Sequence, residues 1–330
     1  MLHKTKKIVQ KIMGKKRILA GLLFSFLSTA HADVVTSIRP LGFIAAAITN
    51  GVTDVKILLP DGASPHDYSL KPSDLEKIKT ADLFIWVGSD METFLEKPLA
   101  QLPTQKRIAL TNDPAIKTRL LKSSDEGTPV NSKSAHDHDH HHHHHHHYNV
   151  IHNHHSHGEY NMHIWLSPDI ARIAANIIHH RLVVLYPKYK NQLDVNLRKF
   201  DEKLTQTDKN IAKMLQSVGD KRYFVFHDAY SYFEKRYHLA SLGYFTINPI
   251  IQPGAQRLYQ IRTMLAQKKA VCVFAEPQFR PAVIKAVIKD TDVRMGTLDP
   301  LGSGIGLSKD SYVEFLTALS NQFKSCLDKN

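Results

Sequence analysis

The strongest constraint on the fold is an alternation of strand-like and helix-like segments, which occurs in two blocks along the 330-residue chain. Strands that alternate with helices indicate parallel βαβ units, so the sequence predicts two (β/α)4 lobes of the α/β class. Within the first block we expect a helix at 91–102, kinked or broken at Pro98, and a capping box formed by Ser73 and Glu76. Short apolar runs bounded by turn residues predict the strands at 34–38, 54–60, 83–88, 107–111, 223–227, 242–247, 270–276 and 293–299.

Residues 167–217, between the two blocks, contain no strand signal. Ser167 and Pro168 predict the start of one helix, and Pro187 predicts the start of a second, amphipathic and heavily charged one. A helix of about 30 residues is roughly 45 Å long. We therefore expect parallel-sheet lobes at 33–186 and 218–330, joined by a long rigid helix at 187–217. Ligands of open parallel sheets bind beyond the carboxyl ends of the strands, which places a site in the interlobe cleft.

Residues 1–32 have the pattern of a secretory signal peptide. A basic stretch precedes the apolar run from Ile18 to Ala30, and the segment ends in the small-x-small sequence Ala30-His31-Ala32. The apolar run is shorter than the roughly 20 residues that a membrane-spanning helix needs. We expect cleavage after Ala32 and a periplasmic chain that begins at Asp33, with an uncleaved membrane anchor as the alternative.

The formal net charge of +12 is concentrated at the N-terminus, where seven basic residues and no acidic ones precede residue 33. The remaining Lys and Arg residues are interspersed with Asp and Glu, and no nucleic-acid-binding motif is present. We therefore expect no nucleic-acid partner.

The two cysteines, Cys272 and Cys326, form an even pair, which in an exported protein favours a disulfide; two buried free thiols are the alternative.

Histidine is over-represented, with 22 residues, and most of them lie in one low-complexity segment. We expect residues 131–159 to form a disordered loop, since so few apolar residues cannot build a core. A flexible array of imidazoles favours weak binding of several Zn²⁺, Cu²⁺ or Ni²⁺ ions. The alternatives are an inert spacer or a purification tag. The histidines of this accessory metal-binding loop are His136, His138, His140, His141, His142, His143, His144, His145, His146, His147, His152, His154, His155 and His157.

Three single histidines occupy positions where the two lobes are expected to meet. His66 follows the second predicted strand, His163 precedes the helix that begins near Ser167, and His227 ends the strand at 223–227. Three neutral imidazoles at about 2.0–2.1 Å form a tetrahedral zinc site with one open position. His179, His180 and His238 lie within helices, and we interpret them as structural.

A catalytic zinc would use the same three-histidine arrangement, with a bound water acidified to a pKa near 7. However, the sequence contains neither an H-E-x-x-H run nor a G-x-S-x-G motif. Asp228 and Glu276 would serve as bases only if they faced the site. Capture of a metal needs no base, so we predict a binding protein rather than an enzyme.

With these residues in view, the mature chain resembles the cluster A-I (cluster 9) solute-binding proteins of ABC transporters, and in particular their zinc branch. The resemblance implies two (β/α)4 lobes joined by a rigid helix, His66, His163 and His227 as zinc ligands, and a Cys272–Cys326 disulfide. It also implies delivery of Zn²⁺ to a membrane permease that works with an ATPase. The segments that carry it are GASPHDYSLKPSD (62–74), NMHIWLSP (161–168), YFVFHDAYSYFEKRY (223–237), FAEPQFRPAV (274–283) and MGTLDPLG (295–302).

The fourth ligand is the point at which the chain departs from its relatives. Some zinc-binding members carry Glu immediately before the first histidine, where this chain has Pro65, so water is our first choice and Asp299 the best protein candidate. Manganese and iron binders of the family carry Glu where His227 stands. A manganese- or iron-binding function is one alternative for this chain. A periplasmic zinc buffer or chaperone that acts mainly through the loop is another. We expect a monomer.

Overall fold

The computed structural model describes residues 33–123, 159–268 and 270–328. The predicted signal peptide and nearly all of the predicted histidine-rich loop lie outside these residues. Within the described part of the chain, no helix is long and apolar enough to cross a membrane.

Two four-stranded, wholly parallel sheets form the framework, which confirms the predicted fold class. Their strand orders are β2-β1-β3-β4 and β6-β5-β7-β8. The inner strands β3 and β5 are buried along their whole length, as expected for parallel strands covered on both faces. The strands are β1 (Asp33–Thr36), β2 (Asp54–Ile57), β3 (Leu83–Trp86), β4 (Arg107–Ala109), β5 (Tyr223–His227), β6 (Ser241–Thr246), β7 (Cys272–Ala275) and β8 (Arg294–Thr297).

Ten α-helices in the described ranges connect and cover the sheets. The first lobe holds α1 (Arg39–Thr49), α2 (Pro72–Thr80), α3 (Glu96–Ala100), α4 (Pro114–Lys117) and α5 (Pro168–Leu185). The long helix α6 (Lys190–Leu215) follows, flanked by single 3-10 turns at Pro187–Tyr189 and Gln216–Val218. The second lobe holds α7 (Ser231–Tyr237), α8 (Ala255–Lys268), α9 (Ala282–Ile288) and α10 (Ser311–Leu327).

Helix α6 packs against both lobes. Its buried residues recur at helical spacing and include Leu193, Phe200 and Leu204, which belong to a core shared with α1, α5 and α10. The side-chain amide of Asn196 donates to the carbonyl oxygens of Ile48 and Asn50, 2.8 Å away in each case. Through these contacts α6 packs against elements of both lobes.

Two local predictions were wrong. Helix α2 begins at Pro72 with Lys71 as its N-cap, and the Asp74 carboxylate accepts the backbone N–H of Lys71 at 2.9 Å, so Ser73 and Glu76 do not form the capping box. The proline at the first helical position sets the start two residues earlier than the capping pattern suggested. The helix expected at 91–102 is reduced to a 3-10 turn at Thr93–Leu95 and the short α3.

The disulfide between Cys272 and Cys326 is present, with Cα atoms 6.2 Å apart. It joins the inner strand β7 to the last helix, α10. Both cysteines are buried. The bridge therefore fastens the C-terminal helix to the sheet that carries His227.

Glu92 is fully buried, and its carboxylate Oε2 accepts backbone N–H groups of Val87 at 2.8 Å and Gly88 at 3.2 Å. Burial raises the pKa of Glu92 to about 7, despite the opposing effect of its hydrogen bonds. Between pH of about 4.5 and 7 the folded protein therefore holds a proton that the unfolded chain has released. As the pH rises through this window, we expect this group to lower the free energy of unfolding by about 3 kcal/mol.

Denaturant unfolding of the metal-free protein at several pH values would measure this effect. Glu92→Gln should flatten the fall in stability across the window, whereas the exposed Glu96→Gln should leave it unchanged. If the free energy of unfolding fell equally with rising pH in the wild-type protein and in Glu92→Gln, the prediction would be contradicted.

Candidate metal centre

Three different segments bring the site histidines together at the carboxyl ends of the strands. His66 lies in the connection between β2 and α2, and His227 is the last residue of β5. His163 precedes a 3-10 turn at Ile164–Leu166, and its segment is anchored by the backbone N–H of Asn161, which donates to the carbonyl oxygen of Leu121 at 2.8 Å.

The three imidazoles converge through their Nε2 atoms. The Nε2 atom of His163 lies 3.2 Å from that of His66 and 3.1 Å from that of His227. The candidate ligand atoms of all three residues lie within 4.8 Å of one another. Nitrogens bound to a tetrahedral zinc at 2.0–2.1 Å would be about 3.3 Å apart. The observed spacing is therefore close to that of a zinc site.

Hydrogen bonds to the other ring nitrogens fix the orientation of two of the imidazoles. His163 Nδ1 lies 2.8 Å from Asn161 Oδ1, and His227 Nδ1 lies 2.6 Å from Glu276 Oε1. Both partners are acceptors, so each Nδ1 carries the hydrogen and each Nε2 presents its lone pair to the shared centre.

The Asn161 amide is itself held in one orientation. Its Nδ2 donates to the backbone oxygen of Asp228 at 2.9 Å and to that residue's carboxylate at 3.1 Å. The carboxylate of Asp228 also accepts from the Ser231 hydroxyl at 2.6 Å. This chain of contacts runs from the first lobe to α7 of the second, so the orientation of His163 depends on both.

The surroundings of His163 favour its neutral form. His163 and His227 are 5% and 2% exposed, whereas His66 is half-buried. Burial, together with the neighbouring rings of His227 and His66, holds the pKa of His163 well below its ordinary value. A neutral imidazole is the form that binds a metal, so His163 is ready to coordinate without first losing a proton.

The walls around the three rings are largely apolar. Pro65, Trp165, Phe279 and Leu301 contribute to a cavity of about 10 Å³ beside the histidines. That volume is about what one water-sized ligand requires.

Asp299, the proposed protein candidate for a fourth ligand, is not part of the histidine group. Its Oδ1 accepts from Gln278 Nε2 and from the Leu301 N–H, each at 3.0 Å, and its Oδ2 accepts from the Ser303 N–H at 2.6 Å. Through these hydrogen bonds the Asp299 carboxylate stabilises the loop that follows β8.

Among the described residues, the other histidines are not part of this centre. His179, one of those interpreted as structural, lies 2.8 Å from Asp194 through its Nε2. His180 and His238 are likewise outside the group of converging ligands. The histidines of the accessory loop lie outside the described residues.

Sequence reasoning missed the orienting roles of Asn161 and Glu276, and considered Glu276 only as a base. Both positions carried a usable signal. Asn161 stands two residues before His163, and Glu276 directly follows β7, the strand paired with β5. The carboxyl ends of neighbouring parallel strands lie at the same edge of a sheet. A carboxylate that follows β7 is therefore placed beside His227, at the end of β5.

The model of the family described as zinc-uptake complex component A, periplasmic (ZnuA) matches residues 34–326. The high-affinity zinc uptake system protein ZnuA of Yersinia pestis is 58% identical over 329 residues, covering 99% of this chain and 100% of that protein. The corresponding protein of Haemophilus influenzae is 40% identical over 338 residues, covering 97% of this chain and 100% of its own length.

A solved structure described as a ZnuA deletion mutant with zinc bound superposes with a TM-score of 0.68 at 23% identity. The superposition covers 91% of this chain and 99% of that one. It supports the two-lobed fold, and the sequence matches confirm the resemblance noted from the motifs. The chain therefore belongs to the ZnuA family of periplasmic zinc-uptake components.

Proposed function

We propose that this chain captures Zn²⁺ in the periplasm with His66, His163 and His227 and delivers it to the membrane permease of a zinc ABC transporter. The observation that carries the proposal is the convergence of three imidazoles, in which His163 Nε2 lies 3.1–3.2 Å from the other two Nε2 atoms and all ligand atoms lie within 4.8 Å of one another. The chain is a solute-binding transport protein and not an enzyme, in keeping with its full-length relatives in zinc uptake. Zn²⁺ is its cargo.

The donor set explains the choice of metal. The centre offers imidazole nitrogens, which suit Zn²⁺, and within the described residues no carboxylate joins the group. Mn²⁺ prefers the harder carboxylate, carbonyl and water oxygens. This difference supports zinc over the manganese- or iron-binding alternative.

Capture and release place different demands on the three ligands. His163 and His227 are buried and oriented by Asn161 and Glu276, so they form a rigid part of the site. His66 lies half-buried on the connection after β2 and is the ligand most accessible from outside. We propose that His66 is the ligand displaced when the permease, working with its ATPase, takes the ion.

Further parts of the proposal concern the rest of the chain. The signal peptide is removed after Ala32, and the mature protein acts as a monomer. Residues 33–186 and 218–330 form the two lobes, and 187–217 form the link that limits their motion. Water completes the zinc coordination, and the histidine-rich loop collects zinc near the cleft.

Calorimetric titration with Zn²⁺ and Mn²⁺ tests whether the cleft or the loop is the primary site. The variant should lack residues 131–157 but keep Glu159, whose carbonyl oxygen accepts the Ser123 N–H at 3.0 Å. We expect one tight zinc site and little manganese binding, because the cleft ligands remain intact. Adding His227→Ala to the deletion should abolish that site.

Loss of tight zinc binding on loop deletion alone would show that the loop, and not the cleft, is the primary zinc site. The protein would then act as a zinc buffer through its loop. Manganese binding comparable to zinc binding would instead favour the manganese-binding alternative.

A further inference from the structure

A cavity of about 530 Å³, separate from the metal centre, lies where the two lobes meet. The first lobe contributes the segment 118–121 and the N-terminal end of α5, and the second contributes the end of α7 and His238. None of the three site histidines lines it. Its volume falls within the range of cavities that bind small molecules. The capture of zinc leaves it without a role.

Cationic side chains enter this interlobe cavity from both lobes. Arg119 belongs to the first lobe, and Lys235 and Arg236 belong to the second. Arg236 is already neutralised, because it forms an ion pair with Asp208 and lies 3.7 Å from Asp169. Asp169 is the one carboxylate among the described lining residues.

The charges of Arg119 and Lys235 are not neutralised in this way. Neither forms an ion pair within the described chain, and Arg119 donates instead to the carbonyl oxygen of Ala115 and the hydroxyl of Thr118. Both side chains are exposed. Two cations that face one cavity from opposite lobes favour a ligand with two negative charges.

The remaining lining is partly apolar, with Leu120, Leu121, Ile170 and Tyr232 among its residues. An inorganic oxyanion would fill only a small part of the volume and would leave these side chains without contacts. We propose that the interlobe cavity binds a small organic dianion, such as a dicarboxylate or a phosphate ester, and that its binding is coupled to the binding of zinc.

Tyr232 provides the physical connection between the two sites. Its hydroxyl accepts the N–H of Leu121 at 3.1 Å and donates to the backbone oxygen of Asn161 at 2.7 Å. The side chain of Asn161 in turn holds Nδ1 of His163. An anion held between the lobes would therefore restrain the segment that orients a zinc ligand. The coupling rests on the proposed zinc site, whereas anion binding itself does not.

Calorimetric titration of the metal-free protein with succinate and, separately, with glycerol 3-phosphate tests the anion site. We expect one saturable site per chain, and the preferred probe identifies the carboxylate or the phosphate-ester class. Lys235→Glu and Arg119→Glu should each weaken binding at least about tenfold, the effect of losing one charge-assisted contact. Lys199→Glu, at an exposed position of α6 outside the cavity, is the matched control and should bind as the wild type does.

Failure of both probes to bind would overturn the anion site, as would equal weakening by Lys199→Glu. This experiment uses no zinc, so its outcome is independent of the proposed function.

The coupling is tested by measuring zinc affinity with and without the saturating probe. The same measurement on Lys235→Glu, which should bind the probe only weakly, corrects for zinc that the probe itself binds in solution. We expect zinc affinity to change about fivefold or more, and zinc to change the affinity for the probe by the same factor. Tyr232→Phe keeps the ring that lines the cavity but removes the hydroxyl that contacts Leu121 and Asn161, so the effect of the probe on zinc affinity should be lost in this variant. Equal zinc affinities with and without the probe would overturn the coupling.

Discussion

Replacing His66 by alanine should weaken zinc binding by about 100-fold or more while leaving the fold intact. A structural zinc site with four ligands binds with roughly 10–16 kcal/mol, so the share of one ligand is about 2.5–4 kcal/mol. His66 is half-buried and lies on a connection between elements, so its loss opens no cavity in the core. Competition titration against a zinc chelator of known affinity would measure the change.

The matched control is His180→Ala, which removes an exposed imidazole from α5 outside the converging group. Both substitutions belong in the background that lacks residues 131–157, because loop histidines would otherwise bind zinc in the assay. Thermal unfolding of the metal-free variants would show that their folds are equivalent. Similar zinc affinities for His66→Ala and His180→Ala would exclude His66 as a ligand.

The positions of the three histidines were predictable because parallel sheets impose a shared geometry. His227 ends a strand whose apolar run marks it as an inner one, and the carboxyl ends of such strands face the ligand cleft. His66 and His163 stand in connections at the edges of predicted elements. The places of the histidines at the ends of predicted elements therefore indicated a shared candidate site, although they gave no distances between the rings.

The sequence signals at Asn161 and Glu276 indicated polar residues near the histidines but did not establish the contacts that orient the rings. The bond between His227 and Glu276 joins residues 49 positions apart and depends on β7 pairing with β5, an order that the sequence does not state. The interlobe cavity depends in the same way on how α5 meets α7. The capping error near Ser73 arose because a proline and an acidic residue offered a competing helix start.

Glu276→Ala should reduce zinc affinity by about 10–100-fold, the usual effect of removing a partner that orients a metal-binding histidine. The carboxylate lies 2.6 Å from His227 Nδ1, and both groups are almost fully buried. Without it, the ring of His227 is free to rotate, and its Nδ1 hydrogen loses a buried acceptor. Glu276→Gln keeps an oxygen that can accept this hydrogen, so its effect should be smaller than that of alanine.

Comparison of the Glu276 variants separates the orientation of His227 from the effect of the negative charge of Glu276. Chelator competition should rank zinc affinity as wild type, then Glu276→Gln, then Glu276→Ala. Glu234→Gln is the control, because this glutamate of the same lobe accepts from Tyr223 and not from a histidine. Its zinc affinity should match the wild type. If Gln and Ala at 276 were equally damaging, the negative charge rather than the orientation of His227 would be the contribution of this residue. Unchanged affinity in both variants would remove Glu276 from the site altogether.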